Sequence, residues 1–405
     1  MYFYIYDSGS SIRFLANARM SAIPKMNHDY AFHVARVETF VLRAPADPPV
    51  RTSFGIMHDR PAVFVRVADK EGHHGWGEVW CNFPAVGAEH RARLVETCIR
   101  PLLCERAWSS PAACFEALTE RVRILAIQSG EAGPLAHAIA GVDTAIWDMV
   151  ARRAGQPLWK FLGGQARIQV YTSGINPDRP ERVAEAKARE GYTAFKLKVG
   201  FGDQRDEDNV RLLRDAMGPQ ATLMVDANQA WTAPQAVNMA AKLAAYGLEW
   251  LEEPMAADTP WKTWRELAAQ SPLRIAAGEN LRGADAFQAA IEQGGVSVIQ
   301  PDLGKWGGFS ACLPVARDVI GRDRWFCPHW LGGGIGLTAS MHLKAALGGP
   351  GYVEVDSNTN PLRDLLMQEG YAVKDGKVTL SDAPGLGVEP PLDLLAQYVV
   401  AVHGR

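Results

Sequence analysis

The chain has 405 residues, 47% of them hydrophobic and 21% charged, with a formal net charge of −3. That length admits two or three domains, or one large barrel with a smaller companion, and the composition excludes a disordered or membrane class. So small a charge provides no field for gripping nucleic acid or an anionic bilayer, so an anionic substrate must be held by local groups. The six cysteines, Cys81, Cys98, Cys104, Cys114, Cys312 and Cys327, show neither C-x-x-C pairing nor zinc-like spacing. Reduced thiols, and with them a cytoplasmic location, are expected. Residues 1–32 carry aromatics but no basic n-region and no continuous apolar run, so they fit no secretory signal and read as an N-terminal extension. No stretch approaches the ~18 apolar residues of a membrane span.

From about His33 short alternating runs predict an antiparallel sheet: VARVETFVLR, PAVFVRVAD, the polar turn KEGHHG, then WGEVW. Helical periodicity follows in HRARLVETCIRPLL, PAACFEALTERVRIL and HAIAGVDTAIWDMVARRAG, the last stopped by Gly155 and Pro157. Residues 33–160 are therefore expected to form an α+β domain. After FLGG the pattern changes to eight apolar runs alternating with helices: IQVYTSG, AFKLKVG, TLMVDAN, LEWLEEP, RIAAGEN, VSVIQPD, WFCPHW and YVEVDSN. This alternation predicts an α/β fold over residues 161–356, a TIM-type (β/α)7-8 barrel of parallel strands, with residues 357–405 as a C-terminal segment. The polar residues closing the runs recur at steps of 28, 26, 27, 23, 27 and 25 from Lys198 through Asp226, Glu252, Glu279, Asp302, His329 and Glu354. One βα unit per step brings these side chains to a single mouth.

Asp226, Glu252 and Glu279 end three successive strands. Any one acid could equally cap the helix after its strand, but three in register demand a cation. Hard oxygen ligands select Mg²⁺, one per site, with Mn²⁺ as a substitute. Lys196 and Lys198 are one residue apart on a strand, so both point into the barrel, ~6.5–7 Å apart along the chain. Mutual repulsion is expected to depress a pKa and leave one lysine neutral as a base. Asp302 and His329 stand opposite, on the sixth and seventh strands. An aspartate bonded to one ring nitrogen fixes the tautomer and gives a second acid/base across the site.

In order and spacing, FKLK, VDAN, LEEP, AAGEN, QPDLGKWGG, PHW and VEVD resemble the mandelate racemase subgroup of the enolase superfamily, over roughly residues 33 to 400. The resemblance implies an N-terminal domain that caps the barrel and is completed by the C-terminal segment. It implies Asp226, Glu252 and Glu279 as metal ligands, Lys198 as base, Lys196 as its electrostatic partner, and His329 with Asp302 on the other face. Glu354 would give a proton or hydrogen bond to the substrate carboxylate. Muconate-lactonising and dipeptide-epimerising relatives usually carry a lysine where Asp302 stands, which disfavours those reactions. The lid would come from RTSFGIMHDR and EVWCNFPAVGAEH, offering Thr52, Ser53, His58 and Asn82 for hydroxyls beside apolar Phe54, Met57, Trp80 and Phe83. Asn228 and Asn280 are expected to join Ser53, Phe54, Trp80 and Asn82 in binding substrate. A homo-oligomer, dimer or octamer, is also implied, with TPWKTW as an apolar interface anchor.

The implied reaction removes the proton next to a carboxylate, giving an enediolate whose charge a cation and Lys196 stabilise. Two acid/base groups on opposite faces then permit loss of a β-hydroxyl from a sugar acid or racemisation of a 2-hydroxy acid. Dehydration is the first expectation. A Schiff-base aldolase would use Lys196 or Lys198 covalently without metal and leave the three acids unexplained. A non-catalytic binding protein would have no reason to hold acids and bases in register at seven strand ends.

Overall fold

In the N-terminal third, alternation of apolar and polar residues produces an antiparallel meander. In the computed structural model, which describes residues 30–52, 55–367 and 371–404, it consists of β1 (Val34–Thr52), β2 (Gly55–Asp69) and β3 (His74–Val79). β1 runs against β2 with Val37 opposite Val67 and Phe40 opposite Phe64, side chains that are buried. The sheet rests on the helix Ala132–Arg153, and the sequence GWG on β3 is what lets them touch. A Cβ on Gly75 would stand 2.2 Å from the Ala145 carbonyl, and one on Gly77 2.0 Å from that of Gly141, distances only glycine tolerates. This helix is buried almost continuously from Leu135 to Ala151, because the barrel helix Gly308–Gly321 covers its other side.

All eight barrel runs form strands: β4 (Arg167–Ile175), β5 (Ala194–Lys198), β6 (Thr222–Asp226), β7 (Leu248–Glu252), β8 (Arg274–Ala277), β9 (Val298–Ile299), β10 (Trp325–Phe326) and β11 (Val353–Asp356). They pair in parallel in the order β10-β9-β8-β7-β6-β5-β4-β11. The ladder is open between β10 and β11, where the Phe326 amide reaches the Pro350 carbonyl at 3.3 Å. The C-terminal segment adds β12 (Lys377–Thr379), antiparallel to β4, and β13 (Val399–His403), which joins the N-terminal sheet beside β1. The last strand thus ties the two sheets into one molecule.

Tyr171, Ala194, Met224, Trp250, Ala276, Val298 and Cys327 form a packed interior layer separate from the main core, nearly one residue per strand. Side chains two residues further along a strand share the inward face. That step leads to Ser173, Lys196, Asp226, Glu252, Gly278, Gln300 and His329. The apolar layer is the floor of the site, and strand periodicity sets the polar layer on it. β8 departs from the period: Gly278, at φ +143°, breaks the alternation and turns the next residue, Glu279, into the mouth.

Two expectations need correction or restriction. Trp264 of TPWKTW is 1% exposed and packs with Trp261 inside the fold, so it cannot anchor an interface. Helix amphipathicity turned it inward, on the same face as Leu267. Most of the expected N-terminal extension, residues 1–29, lies outside the described residues, although Phe32 bridges to Trp108 and is buried. All six cysteines are free, and among the described residues no helix is long and apolar enough to cross a membrane.

Candidate active site

Lys196 is completely buried. Its ammonium pairs with Glu252, lies 2.9 Å from Glu354 and 3.7 Å from Asp226, and sits 5.2 Å from the centre of the Tyr171 ring. Lys198 is 2.6 Å from Asp226 Oδ2. The protein groups alone do not depress either lysine. Burial opposes the charged form of both, yet Glu252, Glu354 and Asp226 hold Lys196 well above its usual value, and Asp226 outweighs the Lys196 repulsion on Lys198. Counting along one strand missed these acids because they arrive from β6, β7 and β11.

Across the mouth, His329 Nδ1 is 2.7 Å from Asp302 Oδ2, and Nε2 is 2.7 Å from Glu279 and 3.5 Å from Glu354. Asp302 is itself anchored through its other oxygen, which accepts from the Gly304 and Lys305 amides at 2.8 and 3.0 Å. Burial works against the imidazolium, but Glu279, Glu354 and the Asp302 bond hold the histidine well above its normal pKa. Glu354 also accepts from the Ser173 hydroxyl and the Trp330 amide.

Asn228, Gln229 and Glu253, just beyond β6 and β7, take φ values of 44°, 66° and 37°. That left-handed region is costly for non-glycine residues and tends to persist at functional sites. Here the Asn228 amide donates to Asp226 Oδ1 at 2.8 Å and the Gln229 amide to the Glu253 carbonyl at 2.7 Å.

The donor set fits a divalent cation. Asp226, Glu252, Glu253, Glu279, Asp302 and Glu354 are linked in one network with Lys196, Lys198, Lys305 and His329. Six acids against four bases leave two negative charges. In keeping with that excess, burial first and then neighbouring anions push Glu252 up to about 7 and Glu253 to about 8. A dication would supply the missing charge, and Asp226, Glu252 and Glu279 are the residues that would hold it. Each of the three carboxylates contacts an ammonium or imidazolium: Asp226 meets Lys198, Glu252 meets Lys196, and Glu279 meets Lys305 and His329. Among the described residues, the three ligand atoms within 4.8 Å of one another belong instead to Asp69, Glu71 and His73. There Asp69 Oδ1 accepts from the Glu71 and His73 amides at 2.9 Å each, so that cluster is a stapled hairpin turn.

Of the expected substrate contacts, Trp80, Asn82, Asn228 and Asn280 line one cavity of about 230 Å³ with Lys198, Glu279 and His329. Its size suits a small metabolite, below the ~300–1,000 Å³ of pockets for drug-sized ligands. Asn82 donates its amide to the Leu331 carbonyl at 2.6 Å. Ser53 and Phe54 lie outside the described residues, as does the side chain of Thr52, and Met57 and His58 are not among the cavity's lining. The sequence reading missed Lys305, which lines the same cavity. Its position three residues after Asp302, in the QPDLGKWGG run, was the available signal. A larger cavity, about 640 Å³, opens beside Gly163, Gly351 and Lys344. Its buried Lys344 is fully engaged by the carbonyls of Phe326, Gly349 and Pro350, so volume alone does not mark the site.

Two carboxylates of the N-terminal domain steady the loops that carry the histidine and aspartate. Glu78, on β3, accepts from the Gly333 and Gly336 amides at 2.6 and 2.9 Å, at the start of the helix Gly334–Leu347. Asp143 accepts from the Ser310 amide at 3.0 Å and the Ser310 hydroxyl at 2.5 Å, in the first turn of Gly308–Gly321. Each satisfies amides that a helix start leaves unpaired.

These features define a capped (β/α) barrel enzyme with an acid–base site at the C-terminal ends of its strands. The family profile described as enolase C-terminal domain-like matches residues 179–394, and that of the mandelate racemase / muconate lactonizing enzyme N-terminal domain matches residues 36–163. The chain belongs to the mandelate racemase/muconate lactonizing enzyme family of the enolase superfamily. A D-galactarolactone cycloisomerase of Agrobacterium fabrum is 29% identical over 389 residues, 90% of this chain and 98% of the relative. A D-galactonate dehydratase of Pectobacterium atrosepticum is 31% identical, covering 81% and 88%. Among solved structures, a mandelate racemase/muconate lactonizing enzyme from Bordetella bronchiseptica RB50 is 53% identical with a TM-score of 0.86, covering 91% of this chain and 99% of that one. An enolase from Bradyrhizobium, complexed with magnesium and mandelic acid, is 29% identical with a TM-score of 0.81, covering 92% and 99%.

Proposed function

We propose that the protein is a Mg²⁺-dependent acid-sugar dehydratase that eliminates a β-hydroxyl after removing the proton next to the carboxylate. The observation that carries this is the placement of Lys198 and the Asp302-bonded His329 on one small cavity, two proton-transfer groups from β5 and from the loop after β10. A bound divalent cation supplies positive charge opposite the substrate carboxylate and takes up the charge of Asp226, Glu252 and Glu279. With Asp226 engaged by the cation, the Lys196 ammonium would oppose charge on Lys198, the amine that receives the α-proton. Lys196 and Glu354, paired at 2.9 Å, hold charge and a hydrogen bond against the carboxylate oxygens as negative charge develops there. The electron pair of the broken C–H bond forms the double bond between the α- and β-carbons, and the β-carbon–oxygen bond breaks. His329, its Nδ1 bonded to Asp302, gives its Nε2 proton to the departing hydroxyl, so water leaves and the enol relaxes to a 2-keto-3-deoxy acid.

Ring opening of a sugar-acid lactone uses the same groups, with the ring oxygen as the leaving atom. The kinship with the galactarolactone cycloisomerase supports this second reading. The test is a panel of mono- and diacid sugars and their lactones with enzyme and Mg²⁺, read as 2-keto acid. Keto product from a free sugar acid is expected. Product from lactones alone moves the assignment to ring opening, and inversion with α-deuterium uptake but no keto acid moves it to racemisation.

A further inference from the structure

Lys305 has no part in the reaction above, yet it is 7% exposed and lines the cavity. Its ammonium is 3.1 Å from Glu279 Oε1, 3.2 Å from Asn280 Oδ1 and 4.7 Å from the centre of the Trp80 ring. Glu279 is shared, since its other oxygen contacts His329. A second cation backs the same indole: the Arg91 guanidinium lies 5.7 Å from the Trp80 ring and is 4% exposed. Arg91 donates to His137 Nδ1 and the Gly87 carbonyl, each at 3.2 Å, and no carboxylate among the described residues pairs with it. Burying Arg91 without a carboxylate partner is costly. Two cations thus flank the Trp80 indole, and the one that lines the cavity, Lys305, also bridges to Glu279.

Position in the ring gives that charge a use. In the eight-strand order, β9, which leads into Lys305, is four staves from β5, which carries Lys196 and Lys198. The two cationic groups thus face each other across the mouth. Lys196 already answers for the carboxylate beside the acidic carbon. We propose that Lys305, supported by Arg91 through the Trp80 ring, receives a second carboxylate at the far end of the substrate, making diacid sugars the preferred substrate class.

This inference rests on the acid-sugar reading, and its test separates the two. For the full-length Mg²⁺-loaded enzyme, kcat/KM is compared across configuration-matched pairs: galactarate with galactonate, glucarate with gluconate, mannarate with mannonate. In parallel, calorimetry gives Kd for 2-hydroxyglutarate and 2-hydroxypentanoate, neither of which has a β-hydroxyl to lose. Wild-type enzyme is expected to favour the diacid by about tenfold or more, as a charge-assisted contact does. Lys305→Met should erase that ratio, the diacid losing at least about tenfold more affinity than the monoacid, and Lys305→Arg should retain part of it. Equal affinity for the two hydroxy acids in the wild type, or a ratio that survives Lys305→Met, overturns the proposal. The wild-type comparison needs no variant to fold. Absence of keto acid from every sugar sinks the dehydratase reading, while the two Kd values still decide the role of Lys305.

Discussion

Glu78 offers a stability test worked from a single carboxylate. It is 3% exposed, between the N-terminal sheet and the loop that follows His329. Burial pushes its pKa from 4.5 up to about 7, against the pull of the Gly336 and Gly333 amides. An acid whose folded value exceeds its unfolded one binds its proton more tightly when folded. Its contribution to stability is therefore complete below about pH 4.5 and is lost as pH rises through about 7. A shift of that size corresponds to roughly 3 kcal/mol. For a chain this long that is about 2 °C or less per kcal/mol, so a few degrees of Tm. Glu78→Gln removes the titration and one of the two amide acceptors. Thermal unfolding of wild type and variant from pH 4.5 to 8 should give a Tm difference, wild type minus variant, that falls by those few degrees across the range. Parallel profiles would refute the reasoning and mean that Glu78 titrates like a solvated acid.

Glu252→Gln should weaken Mg²⁺ binding by at least about 100-fold in calorimetry and abolish turnover with it, whereas Asp69→Asn should leave both unchanged. Unaltered Mg²⁺ affinity in the Glu252 variant would remove that residue from the metal site. Gly278→Ala places a Cβ 2.7 Å from the Gln300 amide nitrogen at a backbone φ of +143°. It should lower stability by about 1–3 kcal/mol and, by displacing Glu279, cut kcat/KM by about 100-fold. Wild-type kinetics there would show that Glu279 does not depend on the turn. Asp143→Asn should flatten the pH dependence of Tm in the same sense as Glu78→Gln, since burial raises Asp143 from 3.8 to about 7. An unchanged slope would show that the Ser310 bonds alone hold that carboxylate ionised.

The barrel was readable because one βα unit recurs at nearly constant length, and that regularity set Lys198, Asp226, Glu252, Glu279, Asp302, His329 and Glu354 at one mouth before any contact was known. Strand alternation also set Lys196 and Lys198 on one inward face, where both meet acids of the site. What the linear pattern could not carry was pairing between distant strands. Repulsion between Lys196 and Lys198 was visible along β5, while the stronger attraction to acids of β6, β7 and β11 was not. Trp264 looked like a surface anchor because aromatic density was read without helical phase. Lys305 was overlooked because it follows a strand end by several residues in an irregular loop, where periodicity has nothing to say.

The account stands or falls on which residue moves the α-proton and which one releases the leaving group. The direct measurement is α-deuterium uptake alongside keto-acid formation, in D₂O with Mg²⁺, for wild type, Lys198→Met and His329→Asn acting on the sugar acid that the panel identifies. The account predicts that Lys198→Met loses both signals. It predicts that His329→Asn keeps exchanging while keto acid falls by about 100-fold or more, the usual scale for a missing general acid. Exchange at the wild-type rate in Lys198→Met, or normal elimination in His329→Asn, would contradict it.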